Sequence, residues 1–197
     1  VVLFDGRQKA DRDAHVAVVD LDVGGRDLQQ CADAVIRLRA EYLYSRGETD
    51  RISFHFTSGD EASFRRWSEG FRPKVQGNRV EWSRSAAKDP SYRAFRSYLD
   101  TVFMYAGTRS LGKELAPVPD PKGISGGEVF VQGGSPGHAV IVVDVMDHPL
   151  HREQRGVQGR AAVGEIDDEG LERGVSKRAA PRARVAVDED LARRRHR

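Results

Sequence analysis

Asp27-Leu-Gln-Gln-Cys-Ala-Asp-Ala-Val-Ile-Arg-Leu-Arg-Ala-Glu-Tyr-Leu-Tyr44 is the stretch on which the reading of this chain turns. Cys31, Ala34, Val35, Leu38 and Tyr42 recur at helical spacing, so they share one face. Asp27, followed three positions on by Gln30, has the form of a capping box. The stretch therefore predicts an amphipathic helix that starts near Asp27 and stops at Gly47, with the only cysteine of the chain in its first turn.

Working outward, the apolar run from His15 to Leu21, closed by Gly24 and Gly25, predicts a buried strand. Downstream, Ile52 to Phe56 alternates like a half-buried strand, and a short helix carrying Phe64 and Trp67 follows from about Asp60 to Gly70. Val75 to Trp82 predicts a hairpin turning at Gly77-Asn78. From Pro90 to about Leu115, Tyr92, Phe95, Leu99, Val102 and Phe103 predict a second long helix, which Pro117, Pro119 and Pro121 end. Strands are expected at Val129 to Gln132 and His138 to Val145, joined by a loop rich in glycine. Strands and helices that do not alternate as in a parallel sheet place the chain in the α+β class.

A length of 197 residues suits one ordinary domain, and a net charge of +2 with 31% charged residues suits a soluble one. No run of apolar residues is long enough to predict a membrane-spanning helix. One cysteine excludes an internal disulfide framework and a zinc site of paired cysteines. From residue 151 onward, eleven of 47 residues are Arg and none is Phe, Trp or Tyr, so that segment has too little apolar area to offset the entropy of ordering it. The expected organisation is a single α+β domain over residues 1–148, truncated at its N-terminus, and an Arg-rich tail over 149–197 that reads as disordered or frame-shifted. The arginines of such a tail bind nucleic acid weakly and without sequence preference, so no specific nucleic-acid partner is expected.

The chemistry-bearing pair is Cys31 and His138. A thiol attacks an acyl carbon only as thiolate, and a helix N-terminus together with a nearby histidine lowers its pKa from about 8.5. Cys31 is expected in the first turn of a helix, where unpaired N–H groups favour negative charge. His138 opens an apolar strand after Gly133-Gly134-Ser135-Pro136-Gly137, a loop that keeps bulky side chains away from it. The pair predicts nucleophile and general base, with no cofactor.

The helix segment quoted above, Phe54-His-Phe-Thr-Ser-Gly59, Tyr105-Ala-Gly-Thr108 and Gln132-Gly-Gly-Ser-Pro-Gly-His-Ala-Val-Ile-Val-Val-Asp144 resemble the bacterial family known as domain of unknown function 4846, across nearly all of residues 1–148. More distantly, the cysteine-led helix together with Gly127-Glu128-Val129-Phe130 and Gly137-His138-Ala139-Val140 resembles the papain-like NlpC/P60 cell-wall peptidases. That likeness implies a papain-like helix packed on a small antiparallel sheet, an amide or similar acyl bond in a peptide or cell-wall fragment as substrate, and export to the cell envelope. The chain departs from those peptidases at Ala32-Asp33, where they carry Ser-Gly. Their histidine-orienting residue lies on the next strand, which here falls in the tail; Asp144, six strand residues from His138, is about 20 Å away. Gln30 is a loose candidate oxyanion donor, although helix capping explains it equally.

Two other readings compete. A non-catalytic binding or structural domain packs Cys31 as a small hydrophobe, has His138 cap a strand, and uses Phe64, Trp67 and Trp82 as core or as a ligand-facing surface. A Mg-dependent phosphatase would place Asp20 and Asp22 at a strand end, with Thr57 or Ser58 and Asp144 after two later strands. His15, His55, His148 and His151 show no metal-ligand spacing.

Overall fold

The structure, a computed structural model, describes residues 3, 5–8, 10, 17–119, 124–145 and 184–186. Among them are four α-helices, α1 (Cys31–Ser45), α2 (Phe64–Ser68), α3 (Tyr92–Tyr105) and α4 (Thr108–Glu114). Seven strands accompany them: β1 (Ser53–His55), β2 (Glu61–Ser63), β3 (Phe71–Gln76), β4 (Arg79–Arg84), β5 (Val129–Gln132), β6 (His138–Ile141) and β7 (Arg184–Ala186). β1 pairs antiparallel with β2, β3 with β4, and the remaining three lie in the order β6-β5-β7. A mixture of helices and small sheets is the α+β class expected.

The chain divides into two compact units. One holds Leu28–Leu115 and Val131–Ala139; the other holds Val1–Asp27, Ala116–Phe130 and Val140–Arg197. In the Leu28–Leu115 unit the core is aromatic. Phe95, Tyr98, Leu99 and Val102 of α3 have no exposed surface, as their three-to-four spacing requires of one helix face. Around them, Tyr44 stacks on Phe95 with ring centroids 4.5 Å apart, and Phe64 lies 5.5 Å from both Phe95 and Tyr98. Trp67 closes the cluster against Tyr98, and the Arg72 guanidinium covers its other side at 3.9 Å.

Local chemistry explains the element ends. Ser91 caps α3 by accepting the Ala94 N–H, and Ser63 caps α2 by accepting the Arg66 N–H. Gly77, at φ 60, permits the two-residue turn that brings Gln76 opposite Arg79 in the expected hairpin. At Gly70, φ is 96 and a Cβ would overlap the Ala86 carbonyl oxygen, so only glycine fits there. In the other unit, the Gly127 N–H donates to Val142 and the Val142 N–H to Glu128, whose buried carboxylate accepts from the Ser125 N–H.

Several expectations change. The run expected as a buried strand at 15–21 is not one: His15 and Val16 lie outside the described residues, and residues 17–24 form no strand, with Val18 and Val19 about 60% exposed. Valines favour a strand only where a ladder and a packed face await them, and no described strand supplies either. The long helix expected over 90–115 is two, because the Thr57 N–H takes the Tyr105 carbonyl and Ala106 turns extended. β2 was not expected, and β6 ends at Ile141 rather than Val145. The Arg-rich tail lies outside the described residues except for β7.

Tyr98 donates a 2.7 Å hydrogen bond to the Ala62 carbonyl inside this core. Tyr98→Phe removes that bond from a fully buried site and is expected to lower the unfolding free energy by about 1–2 kcal/mol. Urea unfolding at pH 7 measures it, and an unchanged midpoint would mean that the hydroxyl carries no stability.

Candidate functional site

α1 begins at Cys31 itself. The N-cap is Gln30 rather than Asp27, in extended conformation, and the Gln30 N–H donates to the Asp33 carboxylate at 3.2 Å. The cysteine is thus the first helical residue, where the backbone N–H groups of the opening turn have no partner within the helix. The buried stripe of α1 runs through Ala32, Val35, Ile36, Ala40 and Leu43. It is rotated from the face expected: Ala34 is exposed, and Cys31, Leu38 and Tyr42 are only half-buried. Which face of an amphipathic helix turns inward depends on what the helix meets in the fold, and Cys31 ends neither core nor fully exposed.

Asp33, known from sequence only as a departure from the peptidase pattern, is the electrostatic feature of this helix start. It is 8% exposed, and its Oδ1 has no hydrogen-bond partner. Burial pushes its carboxyl up to about 6, opposed by the N–H groups of Gln30 and of Asp33 itself.

His138 is the exposed first residue of β6. The loop before it is seated on the first turn of α4, where the Thr108 hydroxyl donates to the Gly134 carbonyl at 3.5 Å. A Cβ at Gly137 would overlap Thr108 Oγ1 and stand 2.9 Å from the carbonyl oxygens of Gln132 and Gly134. Glycine before the histidine is therefore a packing requirement. Cys31 and His138 both belong to the Leu28–Leu115 unit. No hydrogen bond joins their side chains, and neither bonds another described group.

The phosphatase arrangement loses its premise. Asp20 and Asp22 are exposed and follow no strand, and Asp22 accepts the Gly24 N–H in a turn. Ser58 donates to Asp60, and Asp144 is an exposed residue past the end of β6. Among the described residues, no group of three or more His, Cys, Asp or Glu is arranged to hold a metal ion. No helix among them is long and apolar enough to cross a membrane.

Sequence reasoning missed one acid–base cluster. His55 on β1 places Nδ1 3.6 Å from Glu114 Oε2, too long for a hydrogen bond, while its backbone N–H donates to the same oxygen at 3.1 Å. Burial pushes the Glu114 carboxyl above its ordinary value, against the lowering effect of His55. Separated by 59 positions, these residues leave no spacing signal.

Two substitutions test this geometry. A raised carboxyl pKa means that Asp33 stabilises the fold below pH 3.8 and that this contribution is lost as pH rises through about 6. Between pH 4 and 7 the native chain is therefore expected to lose about 2–3 kcal/mol relative to Asp33→Asn. Parallel urea-unfolding curves for the two proteins would show that the carboxyl is not buried in this way. Gly137→Ala is expected to cost about 1–3 kcal/mol in the same assay, because the loop must leave Thr108 to admit the methyl group.

No curated protein and no solved structure matches this chain. A family match does exist over residues 1–155, which include both α1 and the loop before His138. On that match the chain belongs to the family described as domain of unknown function (4846).

Proposed function

We propose that this protein is a cysteine hydrolase of papain-like arrangement, acting on an amide or similar acyl bond, with Cys31 as nucleophile and His138 as general base. The observation that carries the reading is Cys31 at the first position of α1: half-exposed, with no side-chain partner among the described residues, and beside backbone N–H groups that have no partner within the helix. His138 supports it, because an exposed imidazole at the head of a strand, behind a loop of small residues, is open to a substrate.

In this mechanism His138 takes the thiol proton and the thiolate adds to the acyl carbon. The tetrahedral intermediate collapses to a thioester as the leaving amine takes the proton back from His138. Water, deprotonated by the same imidazole, then releases the acid and restores the thiol. A peptide or cell-wall fragment is the substrate class, and the domain that performs the reaction ends near residue 148, ahead of the Arg-rich tail.

The test is the pH dependence of Cys31 alkylation by iodoacetamide in the full chain, beside the His138→Ala variant. The native protein is expected to react at pH 6, with the rate falling at least tenfold in the variant. A thiol that reacts only once the chain is unfolded would instead make Cys31 a packing residue, as in a non-catalytic domain. Equal rates in both proteins would remove His138 from the mechanism.

A further inference from the structure

α4 is attached at both ends by polar contacts. At its last residue, Glu114 accepts the His55 N–H and faces the imidazole at 3.6 Å. At its first, Thr108 meets the Gly134 carbonyl and fills the space beside Gly137. Midway, a Cβ at Gly112 would stand 3.3 Å from Val131 Cγ1, so the helix and the strand leading into the loop lie close together. A helix of two turns held in this way transmits a shift at one end to the other, because a packed interior does not deform continuously.

The end at Glu114 is chemically unsettled. Its side chain is 23% exposed, and His55 Nδ1 is buried without a hydrogen bond. Glu61 stands opposite His55 in the β1–β2 register and accepts the Ser53 hydroxyl at 2.6 Å. From α3, the Tyr98 hydroxyl senses both carboxylates. When protonated, His55 is a cationic partner for Glu114, while Glu61 is a like charge that raises the Glu114 carboxyl.

We infer that His55 and Glu114 form a proton-operated latch that holds the end of α4 to β1 while the pair carries a proton, and loosens α4, with the loop before His138, when that proton is lost. With the imidazole protonated, the carboxylate is compensated at close range; with it neutral, a largely buried carboxylate keeps only the His55 backbone N–H, against the like charge of Glu61. The consequence for catalysis, that the base is held best on the acid side, rests on the hydrolase reading, whereas the latch does not.

Hydrogen exchange of the full chain between pH 5.5 and 8, corrected for the intrinsic dependence on pH, tests it. Protection at the His55 amide and at the α4 amides Leu111 and Leu115 is expected to fall roughly threefold to fivefold as pH rises. In Glu114→Gln, which keeps an acceptor for the His55 N–H, protection should not change with pH. Equal slopes in the two proteins would overturn the latch. Should the variant not fold, NMR titration of the native chain decides: the Glu114 carboxyl carbon must show an inflection at the His55 midpoint, and its absence overturns the proposal. An inert Cys31 alongside a persisting difference in protection would remove the hydrolase and leave the latch intact.

Discussion

Inside the Leu28–Leu115 unit, the Tyr98 hydroxyl reaches through an aromatic cluster to the Ala62 carbonyl, and most of the surrounding structure is arranged about that contact. A phenol can be wholly buried only if its hydroxyl finds an acceptor. Meeting that requirement ties α3 to β2, and β2 is in turn the antiparallel partner of β1. Phe64, Trp67 and Phe95 then close on the ring, and Tyr44 brings the end of α1 against the same cluster. This packing anchors the Tyr44 end of α1, and Cys31 opens the other end, half-buried.

The two chemically interesting ends of that unit differ in character. At the start of α1, a buried carboxyl and a thiol share the region where a helix favours negative charge, and Asp33 already occupies the Gln30 N–H. At the end of α4, a carboxylate and an imidazole face each other across a gap too long for a hydrogen bond. In both places burial opposes ionisation, so proton binding is coupled to folding. Such coupling is common where a protein moves protons, and structural ion pairs share it.

Helices and hairpins were legible wherever the pattern was local. The period of α3, the Gly77-Asn78 turn, the alternation through Phe54 and the approximate extent of α1 could each be read from a few neighbouring residues. The errors fell where a distant partner decides. Residues 17–23 have the composition of a strand, yet all but the half-buried Leu21 are exposed, and they have no ladder. Tyr105 lies in a good helical pattern, but its carbonyl is engaged by Thr57, and the helix stops there.

The candidate site divides along the same line. Nearest-neighbour chemistry marks Cys31 as a residue at a helix start and His138 as a residue at a strand start, because capping, glycine content and apolar period act over a few positions. The side of α1 that turns inward, the seating of the loop on Thr108, the burial of Asp33 and the meeting of His55 with Glu114 came only with the tertiary structure. Each depends on groups brought together from separate parts of the chain, and burial, which sets both packing and proton affinity, does not exist until they meet.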